Sequence, residues 1–202
     1  MNWVQDFLVK DLKRWRPNVH RSVRAYWYGY NSSWMLDAPV VTVRSLAKGL
    51  LAAIASESTS ESASKDRRII FVAHSHGGLV VKQALLTSFL ENSTTGVLSR
   101  TDGVLFFGTP HQGSDLASLG HIVAVILSPW GSDGNILESI KPGSNANREL
   151  HVSFTDILNT SRARDQGAIS IWNFYEEVKT PIVLGLSRRL VRCLILVVSN
   201  SF

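Results

Sequence analysis

Residues 67–86, RRIIFVAHSHGGLVVKQALL, constrain the fold more than any other stretch of the chain. RRIIFVA is a short continuous apolar run, the pattern of a strand buried on both faces of a sheet. LVVKQALLTSFLE then places its apolar residues at helical spacing. Between the two lies only the glycine-bearing turn HSHGG. The stretch therefore reads as a strand passed into a helix through a tight bend, the opening move of an α/β architecture.

The rest of the chain repeats that alternation. Residues 2–14 read as an amphipathic helix carrying Trp3, Phe7, Leu8 and Leu12, and SVRAYWY (22–28) as a strand. Residues 41–56 carry Val43, Leu46, Leu50, Leu51 and Ile54 at helical spacing, and the polar SESTSESASKD (56–66) reads as an exposed loop. GVLFFG (103–108) is a second buried-strand run, followed by a helical stretch through Leu116, Leu119, Ile122, Val123 and Ile126. A glycine-rich break at 131–134, a helix over 145–160 and the alternating strand AISIWNFY (168–175) complete the pattern. Strands and helices in this order predict a parallel α/β sheet flanked by helices. With 202 residues, 45% of them hydrophobic, the chain can bury one sizeable core, so one domain is expected.

Composition removes several function classes. The formal charge of +5 is scattered apart from Arg188, Arg189 and Arg192, which argues against a nucleic-acid surface. A single cysteine, Cys193, excludes an internal disulfide framework and a multi-cysteine metal site, and fits an intracellular setting. No secretory signal and no spanning apolar run is present. Neither a Walker pattern nor G-x-G-x-x-G occurs, so a nucleotide-binding reading has no phosphate loop to rest on. No metal or organic cofactor is implied.

Chemistry concentrates at AHSHGG (73–78). A serine hydroxyl is a poor nucleophile until a base takes its proton, so it must be held where a base can reach it. A sharp strand-to-helix turn achieves this, and its strained backbone tolerates only small neighbours two positions either side, here Ala73 and Gly77. Ser75 is the candidate nucleophile. The backbone N–H of His76, at the start of the helix, is the candidate oxyanion donor. The competing reading is a glycine-rich βα turn whose serine merely caps the helix.

FVAHSHGGLVVKQALL followed by GVLFFGTPHQGSDLA resembles the serine esterases and lipases of the α/β-hydrolase superfamily, in particular the serine-active-site-containing protein family and fungal lipase-like domains. WVQDFLVKDL, AYWYGYNSS and IWNFYEE are similar to segments of the same family, so the resemblance runs from about residue 3 to about residue 178. It implies a partial hydrolase domain over 1–180, a divergent tail over 181–202 and an acyl-ester or lipid substrate. Relatives of this kind are fused to other domains and occur in the mitochondrion, in the endoplasmic reticulum or on membranes. The resemblance places His111, in GTPHQGS, on a loop lining the substrate site. It makes Glu176, after AISIWNFY, the candidate triad acid.

The chain also departs from the family. Ala73 replaces a glycine, and the earlier strand and loop that donate the second oxyanion N–H are not in this sequence, so the sheet is expected to be incomplete at both ends. Triad order in this fold is serine, acid, histidine. The histidines here are 20, 74, 76, 111, 121 and 151, and none follows Glu176. His74 and His76 flank the nucleophile with side chains expected to point away from it, leaving His111 as the best substitute base. His20, His121 and His151 read as ordinary surface or partly buried residues.

Removing the base of a serine triad costs about 10⁶ in kcat, roughly 8 kcal/mol of barrier. Loss of an oxyanion donor adds about 3 kcal/mol. Two readings follow: an impaired serine esterase acting through an acyl-enzyme at Ser75, and a non-catalytic hydrolase-fold remnant or interaction module.

Overall fold

A computed structural model describes residue 14 and residues 24–29, 42–59, 67–74, 76–91, 96–109, 111, 145–163, 168–174 and 195–200. In chain order these form β1 (Arg24–Tyr28), α1 (Val43–Thr59), β2 (Arg68–His74), α2 (His76–Leu90), the short α3 (Val97–Arg100), β3 (Thr101–Phe107), α4 (Asn145–Ala163), β4 (Ser170–Phe174) and β5 (Ile195–Asn200). Of the helix expected over 2–14 only residue 14 is described, and it is helical; the helix expected through 116–126 lies outside the described residues.

The strands make one five-stranded sheet in the order β1-β5-β2-β3-β4. β2, β3 and β4 are parallel neighbours, aligned with Ala73 opposite Phe106 and Phe106 opposite Asn173. Among the described residues this is an α/β arrangement in which three parallel strands make up one side of the sheet, as the alternating pattern predicts. β5 runs antiparallel to both β2 and β1, so β1 points the same way as β2. Val197 of β5 is opposite Phe71 on one side and Tyr26 on the other. A strand from the stretch read as a divergent tail thus separates two strands adjacent in sequence order.

α1 begins where Thr42 caps it: Ser45 N–H donates to Thr42 Oγ1 at 3.2 Å, and Leu46 N–H donates to Thr42 O at 3.1 Å. Leu46, Ala47, Leu50 and Ile54 then fall on one stripe and pack inward. The helix runs on to Thr59, four residues into the serine-rich stretch expected to be a loop. No glycine or proline interrupts it there, and Ser56 Oγ satisfies itself on Ala53 O at 2.8 Å. Tyr28, ending β1, donates from its hydroxyl to Leu46 O at 3.1 Å and fixes the strand to this helix.

α2 is the central element, packed on β2 and against both α1 and α4. Its buried residues include Leu79, Val80, Val81, Ala84 and Leu85, covering most of its circumference, as expected for a helix surrounded by protein. With Ile69, Phe71 and Ala73 of β2, Val104 and Phe106 of β3, and Phe154 and Ile157 of α4, its Val80, Val81, Ala84 and Leu85 form one core cluster. Each Leu, Ile, Val or Phe side chain among them contributes roughly 1.5–3 kcal/mol on burial.

The described helices do not cover the two sides of the sheet alike. Alternate residues Ile70, Val72, Leu105 and Phe107 point away from the helices and are only half-buried. The same side of β4 leaves Trp172 and Phe174 47% and 45% exposed. The apolar runs of β2 and β3 thus read as buried on both faces because their outward residues are apolar too. At the opposite end of the strands, Arg68 pairs with Asp102 and donates from Nη1 to Ser99 O at 2.9 Å, tying β2 to the start of β3.

Candidate active site

The carboxyl ends of β2, β3 and β4 converge, which is where parallel α/β sheets carry their sites. β2 ends at His74 and α2 starts at His76, so one residue joins a buried strand to a buried helix. That residue is Ser75. Its own placement lies outside the described residues, as does that of Glu176, two positions beyond the end of β4.

The first turn of α2 is built for close approach. Gly77 and Gly78 are buried, and a Cβ on Gly78 would lie 2.8 Å from Thr109 Cβ and nearer still to its Oγ1 and Cγ2. Only glycine admits the loop after β3 at this point. Gly108 starts that loop with φ 54°, a left-handed conformation that favours glycine, while its N–H donates to Phe174 O at 2.9 Å. The Thr109 hydroxyl is buried and has no hydrogen-bond partner among the described residues.

His76 opens α2, so its backbone N–H is one of the donors that a helix start leaves without an intrahelical acceptor. Burial lowers its imidazole to about 4, which keeps the side chain neutral. His74, the last residue of β2, exposes its side chain.

His111 lies beyond Thr109, with its ring edge-on to Phe106 at 4.9 Å between centroids. Burial lowers it to about 4; Lys82 and His151 add to this, while a side-chain hydrogen bond with Asn173 acts in the opposite direction. The His151 ring, on α4, stands 5.9 Å from that of His111. Its Nδ1 is 3.2 Å from Lys82 Nζ. Lys82 is 1% exposed on α2, and burial pushes its ammonium down to about 8.

Sequence reasoning missed Lys82 and His151. The signals were there: Lys82 interrupts the otherwise apolar LVVKQALL, and His151 stands three residues before the buried Phe154 on the inward stripe of α4.

The chain is 29% identical over 184 residues to a protein of Danio rerio named Protein SERAC1, an alignment covering 89% of this chain and 25% of that protein. It is 36% identical over 64 residues to the Homo sapiens protein of the same name, covering 32% of this chain and 10% of the relative. The Bos taurus protein matches to the same extent. Its relatives carry the name SERAC1. The chain spans about a quarter of the length of the Danio rerio SERAC1 protein. No family model matches the chain, and no solved structure matches it significantly. No helix among the described residues is long and apolar enough to cross a membrane, and no group of three or more metal-binding side chains occurs among them.

Proposed function

We propose that the chain is a serine hydrolase domain of the α/β-hydrolase type, acting on acyl esters, lipid esters above all, through an acyl-enzyme at Ser75. The observation that supports this reading best is the single-residue link between β2 and α2, with glycines at 77 and 78. A nucleophile-bearing bend requires that layout.

In the proposed reaction Ser75 Oγ attacks the ester carbonyl carbon while its proton passes to a base, and the carbonyl π electrons move onto oxygen. The His76 N–H stabilises that oxyanion, aided by the dipole of α2. Collapse breaks the C–O bond, and the departing alkoxide takes the proton back. Water then attacks the acyl-enzyme, regenerating Ser75 and releasing the acid. Glu176 is the proposed acid that would orient the base.

His111 is the proposed base. A neutral imidazole accepts a proton, but one held at about 4, against about 6.5 for a free histidine, is a weak base, and general-base catalysis falls with basicity. Turnover is therefore expected to be slow. The non-catalytic reading is favoured by the same residue, because the His111 ring packs on Phe106 beside Lys82 and His151.

A fluorophosphonate probe separates the two readings. The hydrolase reading expects covalent labelling of wild type that disappears in Ser75→Ala. Equal background labelling of both proteins would eliminate an activated serine.

A further inference from the structure

We propose that Lys82, His111 and His151 form a binding site for one carboxylate group, a site that shares His111 with the base proposed for Ser75. Three nitrogen bases from three elements converge here: Lys82 from α2, His151 from α4 and His111 from the loop after β3. Lys82 Nζ lies 3.2 Å from His151 Nδ1 and 5.7 Å from the ring centroids of both Phe106 and Phe154. An ammonium group carries three donors, and one imidazole nitrogen accepts only one of them. The two phenyl rings offer their π systems and no acceptor oxygen.

The electrostatics of the cluster lack an anion. Among the described residues, the charges acting on His111 are Lys82 and His151, and the charge acting on His151 is Lys82. The fourth neighbour, Asn173 of β4, is neutral and bonded to His111. A buried ammonium with no carboxylate beside it among the described residues is unfavourable unless an anion completes the site. Burial lowers both histidines, so near neutral pH the cluster holds a single proton charge, on Lys82. One monoanion balances it. A metal cation is disfavoured by the ammonium, and a carboxylate presents two oxygens that can accept from Lys82 and from a ring N–H together.

Such a carboxylate has two sources. It is either a free acid, such as an ester hydrolase would release, or a side chain of this protein. Outside the described residues, Asp115, four positions after His111, and Glu176, three after Asn173, are the nearest along the chain.

The test is a titration of the full chain, labelled with ¹⁵N-histidine, with sodium acetate against a chloride control, with Ser75→Ala run in parallel. A free-acid site predicts saturable shifts of the His111 and His151 ring signals in both proteins and at least tenfold weaker binding in Lys82→Met. Should Lys82→Met fail to fold, the half-buried His151→Gln variant must weaken acetate binding by a similar factor. A site filled by the chain itself predicts no acetate response and a His151 that titrates above 6.5, falling in Asp115→Asn or Glu176→Gln. No acetate response combined with a His151 titrating below 6.5 in every variant overturns the proposal. So does acetate binding that survives both Lys82→Met and His151→Gln.

Discussion

The Thr109 side chain occupies the space that a Cβ on Gly78 would fill, so the loop after β3 and the first turn of α2 interlock through a missing methyl group. Alanine at a helical position ordinarily adds up to about 1 kcal/mol over glycine. Here Gly78→Ala is expected to cost about 1–3 kcal/mol through overpacking. Thr109→Gly should recover most of that loss in the double variant, a coupling that urea unfolding of the four proteins measures.

Stability should fall on the acid side in a defined window. His76 and His111 are held at about 4 by burial, against about 6.5 when unfolded. Between those values the unfolded chain binds more protons than the folded one, so stability rises with pH from about 4 to 6.5 and is fully present above it. His76→Gln and His111→Gln should each flatten that limb by one proton, read from urea midpoints across a pH series. Lys82, lowered to about 8, adds a second rise on the alkaline side, between about 8 and the unfolded lysine value.

Removing bulk from α2 should be far more damaging than removing it from the outside of α4. Leu85 is fully buried in the core, whereas Val152 is 51% exposed. Leu85→Ala is expected to cost about 2–5 kcal/mol and Val152→Ala to stay within about 0.5 kcal/mol. Denaturant unfolding of the two variants checks the contrast.

The position of β5 makes a prediction about a distant strand. Among the described residues β1 is bonded in the sheet to β5 alone. Val197→Pro would break ladder bonds on a strand with neighbours on both sides, and such prolines are excluded from central strands. Hydrogen exchange should then show lost amide protection over Arg24–Tyr28, with β3 and β4 still protected. Unchanged protection of β1 would contradict the observed strand order.

Local signals made part of this molecule readable before any coordinates. β2, α2, β3, α4 and β4 are all visible in the sequence because each carries its own periodicity and is bounded by turn residues, and the bend at residues 74–76 follows from them. β5 was not readable. CLILVV is one apolar run beside another, PIVLGL, and pairing with β1 and β2 is set by non-local contacts. α3 is a single turn and too short to show a period. At the site, Ser75, His76, His111 and Glu176 were nominated by motif and resemblance. Lys82 and His151 were passed over because each looks ordinary on its own helix and acquires meaning only where α2 meets α4.

The strand order also carries a consequence for biosynthesis. Tyr28 aligns with Ile195, so β1 must wait for more than 160 further residues to leave the ribosome before its hydrogen-bonding edge is satisfied. At about 5–20 residues per second that interval lasts some ten to thirty seconds, during which β1 and one edge of β2 stand open to other chains. Nascent polypeptides of this protein should consequently depend on chaperone protection until β5 has been synthesised.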